Sequence, residues 1–456
     1  MRDIILFLIV CGLVPVILKR PWIGVLAWFW VGLMVPHALT WSFMRSFPIA
    51  ALIGAVTLVA LILAKDRRPI PFTREVFLLG FFAAYMAMTS FFAFNPNGAW
   101  DQWVHVMKIF LMTFVTPMLI FGTRRIAWLI LISALSIGFY GFKGGMFAIS
   151  TGGSYMVLGP SGSFLSGNTY IGLAMIMVLP LLLVLARVFS QKWVEFGWPV
   201  REAWYKPIGI GVYAVFWLTV VAILATYSRG ALVGLLAVAP FLFLRMKRKW
   251  LIVLVAVFGV GVVGVSAPER LIERWSTIKN YEEDTSAMQR VQAWGVNWNM
   301  AVERPFTGMG MRNTVMGYQM WISYANFEGG WRHVLSPHSV YFQILGQHGF
   351  GGLGVYLMLM MLTYMTLGRI KRAARSQKGK QWLSEFAWAI QVGMIGYLVA
   401  GAFLDVAYFN LIYTFIALAI IMRRELDKPE GKAEAVSLRL EPKSSHGHPF
   451  PRGEAA

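Results

Sequence analysis

The sequence is short of cysteine, of acidic side chains and of charge in general. Cys11 is the one cysteine among 456 residues, which excludes an intramolecular disulfide framework and a cysteine-based zinc site. Set in an apolar run, it reads as a small buried hydrophobe. Charged residues make up 14% of the chain, against roughly a quarter in a soluble domain. A water-facing surface of normal size cannot be covered with so few. There is no Walker motif, no HExxH and no paired-aspartate metal motif, so ATP, a metal or another cofactor is not expected. No internal repeat is evident, and a cleavable signal peptide is not apparent in 4–18.

What is present is apolar. Hydrophobic residues reach 58% and aromatics 15%, which excludes disorder. Thirteen apolar segments fall near 4–18, 21–36, 47–64, 76–93, 104–122, 126–143, 169–190, 208–228, 231–244, 250–266, 349–368, 386–404 and 407–422. A bilayer crossing takes about 20 apolar residues, so about 12–13 spans and an all-α polytopic membrane protein are expected.

The formal charge of +20 admits two explanations, a nucleic-acid footprint or a topological signal. Position decides between them. Clusters follow the first, third, fifth, seventh, ninth and eleventh segments, and a last one begins at Arg423. Together they hold 29 of the 41 basic residues. Alternate loops of this kind are the positive-inside pattern, so no nucleic-acid partner is expected. The pattern predicts extracytoplasmic loops at 37–46, 94–103, 144–168 and 267–337. The organisation expected is a membrane domain over 1–266, a mostly helical loop domain over 267–337, C-terminal transmembrane helices over 338–424 and a disordered cytoplasmic tail over 425–456.

The longest loop, 267–337, balances seven basic against seven acidic residues, and long loops in compact folds are usually functional. Residues 268–275 suit an interfacial amphipathic helix. Glu282, Glu283 and Asp284 suit the start of a helix better than a metal site. A helix from Ser286 to Arg304 is expected, stopped by Pro305. Met288, Val291, Trp294, Trp298 and Val302 would form its apolar face, and Arg290, Asn297 and Arg304 a polar one. Gly308-Met309-Gly310, followed by Arg312, reads as a turn that brings backbone close to a ligand.

His338, in Ser336-Pro-His-Ser339, stands where the loop re-enters the membrane. An imidazole there suits either a cap or general-base work near neutrality. His333 and His348 rank lower. Arg229 and Lys143 lie on the side the positive-inside rule does not explain, and a guanidinium forks naturally onto phosphate oxygens. Lys108 and Asp405 read as the main intramembrane charges. The collection of Lys143, Arg229, Arg290, Arg304, Arg312 and one histidine suggests an anionic group such as pyrophosphate.

These residues carry a resemblance. Ser228-Arg229-Gly230, Arg290 with Trp294, Glu303 to Gly310, His338-Ser339 and the glycine-rich 349–354 occur in the order seen in bacterial O-antigen ligases and polymerases. Over Met1 to about Arg424 the chain is similar to that superfamily. Arg20 to Val25, Phe142 to Gly145, Gly159 to Phe164 and Thr226 to Gly230 look like its branch of O-glycosylation ligases associated with exosortase systems. The chain departs from the pattern at Gly167-Asn168 and at Ser339.

The resemblance implies a GT-C-like membrane glycosyltransferase of the bacterial inner membrane, multi-pass, with its site facing the periplasm and its C-terminus cytoplasmic. It implies metal- and ATP-independent, inverting transfer of a glycan from undecaprenyl pyrophosphate to a lipid A–core sugar hydroxyl. On that reading His338 is catalytic, Arg229 and Arg290 bind pyrophosphate, and Arg312, Arg304 and Lys143 support them. A polymerase or a protein O-glycosylation ligase with Ser or Thr as acceptor belongs to the same chemical class. A lipid-linked glycan flippase is the alternative of a different class.

Overall fold

The computed structural model describes residues 1–197, 202–246, 285–327 and 331–428, and these form an all-α polytopic membrane protein. No strand forms among the described residues; the sole bridge joins Gly159 to Gly167. The helices before the long loop are α1 (Arg2–Lys19), α2 (Pro21–Met34), α3 (Ile49–Leu63), α4 (Arg74–Phe91), α5 (Pro96–Leu119), α6 (Gly122–Ser150), α7 (Asn168–Gln191), α8 (Tyr205–Leu224) and α9 (Arg229–Arg245). The loop contributes α10 (Thr285–Glu303) and α11 (Tyr318–Ile322), and α12 (Val340–Ser376), α13 (Gln381–Ala400) and α14 (Asn410–Leu426) complete the chain.

Among the described residues, five helical stretches are long and apolar enough to cross a membrane unaided: 122–150, 168–191, 202–224, 340–376 and 381–403. Pro21–Met34 and Ile49–Leu63 are apolar but shorter. The apolar segments at 250–266 and the interfacial helix expected at 268–275 lie outside the described residues, as do the acidic run 282–284 and the tail from 429.

Local sequence sets the helix starts. Thr73 caps α4 by accepting from Val76 N at 3.3 Å, with Glu75 in the first turn, where a carboxylate complements the helix dipole. Asn95 caps α5 by accepting from Gly98 N at 3.1 Å, and Pro96 takes the first helical position, where its missing N–H costs nothing.

The centre of the bundle is α7, buried along nearly its whole length between α6, α8, α9 and α13. Helix α14 is likewise buried from Leu411 to Met422 against α5 and α12. Lipid tails are as apolar as these side chains, so close packing must supply much of the attraction. Gly145 of α6 lies against the Leu218 backbone of α8, where a Cβ would collide.

One end of the bundle gathers the basic loops. Glu385 pairs with Arg245 and with Arg187 at 3.7 Å. Arg68 and Arg125 each lie 4.2 Å from the Phe121 ring, and Arg125 pairs with Asp66 at 2.6 Å. The described parts of the loop, 285–327 and 331–337, pack at the other end.

Several expectations need correction. Cys11 is exposed, because α1 turns that side outward. Helix α6 runs on to Ser150, past the loop start expected at 144, so Lys143 lies inside it, exposed beside outward-facing Phe142, Met146 and Phe147. Helix α5 takes up 96–103, and α14 runs to Leu426, with Glu425 buried and accepting from Gly122 N at 3.1 Å. Helix α10 reverses its predicted faces. Its buried side is Gln292, Ala293, Val296, Asn297, Met300 and Ala301, while Val291, Trp298 and Val302 are exposed. The loop has built its own small core, in which Ala293, Val296 and Met300 meet Met309, Met316, Trp321 and Leu335.

Candidate active site at the loop end of the bundle

Helix α12 is two helices joined at a break. Gly349 has φ +66°, a left-handed conformation that favours glycine, and a Cβ there would strike the Pro305 carbonyl. The break frees backbone groups that a membrane cannot hydrate. The loop satisfies them: Met309 N donates to Gly346 O at 2.9 Å, Gly310 N to Gln347 O at 3.0 Å, and Phe350 N to Pro305 O at 2.8 Å. The glycine turn at 308–310 therefore makes its close approach to α12 and not to a ligand.

His338 sits one residue before Ser339, the residue that leads into the first half of α12. Its φ is +43°, a strained setting for an L residue that tends to persist at functional sites. Its side chain is 47% exposed, and its Nδ1 lies 3.5 Å from Asp405 Oδ2. Asp405 lies in the turn between α13 and α14, 15% exposed, where it accepts from Ser336 Oγ and from Ser339 N at 3.3 Å. Burial pushes its carboxyl up from the usual range, against the pull of Ser336, the His338 charge and the backbone amides.

Two further contacts draw the arginines to this point. Trp294 of α10 donates its indole N–H to Pro337 O at 2.7 Å and stacks on Phe342 at 5.3 Å. Arg290 is one turn earlier on the same face, so it stands about 6 Å along the helix from that contact. On the other side Ser228 caps α9, accepting from Ala231 N at 3.2 Å, and Arg229 is the first residue of that helix. Gly230 abuts Phe403, as a Cβ placed there would be 3.2 Å from the Phe403 Cβ, and Phe403 is two residues from Asp405. Tyr227, just before the cap, has φ +50° and its hydroxyl donates to Gly153 O. The loop after α6 closes over this side, where Phe164 stacks on Phe409 at 5.3 Å.

The segments that carry Arg229 and Arg290 therefore flank the Asp405 turn and His338, with Arg229 exposed and Arg290 half-buried. The other candidates do not join them. Arg304 closes the far end of α10 and donates to Phe92 O at 3.0 Å. Fourteen residues of helix put it roughly 21 Å from Arg290. No contact among the described residues joins Arg312 or Lys143 to His338. His348 is fully buried, held by Thr89 at 2.6 Å and Tyr408 at 2.8 Å.

Residues 214–357 match the family model described as O-antigen ligase. That match takes in Arg229, Arg290 and His338 and supports the O-antigen ligase superfamily, and with it a glycosyltransferase-type membrane enzyme. Residues 1–190 match a family of unknown function (DUF5935). No curated protein matches the chain. Asp405 falls outside both matched stretches.

The sequence reading missed Asp405 and Ser336 as partners of His338. A signal existed: Asp405 falls between two apolar segments, on the side of the membrane that the charge pattern assigns to His338.

Proposed function

We propose that the protein is an O-antigen ligase-like transferase of the bacterial inner membrane, acting at its periplasmic face, with the C-terminus cytoplasmic. The donor is a glycan on undecaprenyl pyrophosphate and the acceptor a sugar hydroxyl of lipid A–core. What supports this reading is the O-antigen ligase match over 214–357, together with a histidine beside a carboxylate at the loop end of the bundle and two arginines on the segments that flank it.

The Asp405 carboxylate faces Nδ1 and so holds the imidazole with Nε2 free to receive a proton. The acceptor oxygen attacks the anomeric carbon as its proton passes to His338 Nε2. The bond from that carbon to the pyrophosphate oxygen breaks, and the electron pair leaves with undecaprenyl pyrophosphate. Arg229 and Arg290 offset the charge that grows on the leaving group. The glycosyl pyrophosphate is already activated, so orientation and charge stabilisation supply the catalysis. Direct displacement inverts the anomeric centre, and the chemistry needs neither ATP nor a metal.

Reconstitution with undecaprenyl-pyrophosphate glycan and lipid A–core, in the presence of EDTA, tests the proposal. Covalent transfer is expected, and it is expected to vanish in His338→Ala while the protein stays inserted. Movement of the lipid without transfer, or a His338→Ala variant as fast as the parent, sinks it.

A further inference from the structure

The turn between α13 and α14 carries Asp405 and is buried, so its backbone groups need partners inside the protein. Val406 and Ala407 are 1% and 0% exposed. The flanking helices take their carbonyls. Tyr397 of α13 donates its hydroxyl to Val406 O at 2.8 Å, and Tyr413 of α14 donates to Ala407 O at 2.8 Å. Both bonds tie the turn to its own hairpin. Neither ties it to α12, the helix that His338 leads into.

Gln343 makes that connection. It is half-buried, and its Oε1 accepts from Ala407 N at 3.1 Å. Its own backbone N–H donates to Ser339 O at 2.8 Å, so it lies one helical turn beyond Ser339 on the same face of α12. Ser339 N donates to Asp405 Oδ1 at 3.3 Å. Asp405 and Ala407 are two residues apart in the turn, and their partners are one turn apart on the helix. One such contact would leave a pivot. Two fix the angle at which the carboxylate meets His338. Tyr408 also reaches α12, donating to Gln347 Oε1 at 2.7 Å. That bond lies at the end of a long side chain and holds the ring more than the backbone.

The arrangement has little slack. His338 Nδ1 is already 3.5 Å from Asp405 Oδ2, so a small shift of the turn decides whether the carboxylate still orients the imidazole. Without the amide oxygen of Gln343, Ala407 N becomes a buried donor that lacks an acceptor. That costs more than the bond itself contributes, and the turn must move to re-pair it.

We propose that Gln343 is a positioning residue of the transfer site, which holds Ala407 N and thereby sets the Asp405 carboxylate against His338. The inference rests on the function proposed above. Gln343 touches no reacting atom and acts through Asp405.

The test uses the full chain in nanodiscs, assayed well above the range in which carboxylates take up protons. Gln343→Leu removes the acceptor, Gln343→Asn draws it back by one methylene, and Gln343→Glu keeps an acceptor oxygen at the same reach. A group that acts through the carboxylate cannot cost more than the roughly fivefold expected for the loss of that screened charge pair in Asp405→Asn. Gln343→Leu and Gln343→Asn should therefore lower turnover about threefold with both KM values unchanged, and Gln343→Glu should recover the parent's rate. In an Asp405→Asn background Gln343→Leu should cost nothing more, because the two residues act as one unit. Additive losses, a change in KM in place of turnover, or a Gln343→Glu variant as slow as Gln343→Leu overturns the proposal. Nitrogen NMR of labelled histidines supplies a readout independent of catalysis, with His338 assigned by its loss in His338→Asn. The parent should carry the ring proton on Nδ1, and Gln343→Leu, like Asp405→Asn, should shift it toward Nε2. A parent-like tautomer in Gln343→Leu overturns the proposal. If the parent transfers no glycan, the function fails, and the tautomer still decides whether Gln343 positions the pair.

Discussion

Replacing Asp405 with asparagine changes one charge and almost no volume, and so tests how His338 is held. With the amide oxygen kept toward Ser339 N, the NH2 takes the Oδ2 position, where the Ser336 hydroxyl can accept in place of donating, which keeps the turn in place. What is lost is the carboxylate facing His338 Nδ1 at 3.5 Å. At that distance the two groups form a charge pair, and its imidazole is 47% exposed, so the value of a solvent-screened pair, up to about 1 kcal/mol, applies. A loss of about 1 kcal/mol in the transition state lowers the rate roughly fivefold. A general base contributes about 10²–10⁴, so Asp405→Asn should fall well short of His338→Ala. The assay is single-turnover transfer at saturating donor, followed across pH. Because Asp405 titrates above the usual carboxylate range, the parent should lose rate as pH falls through that raised value and the carboxylate takes up a proton. Asp405→Asn should be slower and lack that acidic limb. A variant as fast as the parent, or one that loses donor affinity in place of turnover, refutes the argument.

Other perturbations separate the parts of the site. Arg290→Ala should weaken donor use more than Arg290→Lys, as seen in donor KM; equal losses would mean that forked geometry matters more than charge. Trp294→Phe keeps the stack on Phe342 and removes the hydrogen bond to Pro337 O, worth about 1 kcal/mol; turnover should drop severalfold with unchanged thermal stability of the membrane body. Gly349→Ala places a Cβ against the Pro305 carbonyl at a left-handed φ, so it should cost more than about 1–2 kcal/mol and lower the unfolding temperature in detergent.

The membrane body was largely legible because apolar length and basic parity are strong signals. Arg229, Arg290 and His338 stand out in the sequence through their order along the chain and through the resemblance it carries. The faces of α10 were not. Periodicity shows that a helix has two sides, yet it does not show that Trp294 and Trp298 of the apolar face lie against Phe342 and Phe350 of α12. The small residues and methionines between them fill the loop's own core. The role of Asp405 was hidden for a related reason. A lone carboxylate between two apolar runs does not show which distant segment it serves. Gly308 and Gly310 gave the correct conformation and the wrong partner, since a close backbone approach does not say what is approached.

The broken helix also bears on how the protein is made. Residues 305–310 leave the ribosome before Gly346, Gln347 and Phe350, the groups that complete their hydrogen bonds. The loop cannot reach its final form until the first half of α12 has been inserted. His338 waits longer still, because its carboxylate arrives only with the turn after α13. A nascent chain that ends before Asp405 carries both arginines and the histidine and has nothing to orient the imidazole. Assembly of the site is thus coupled to insertion of the last hairpin, and catalytic competence is expected late in synthesis.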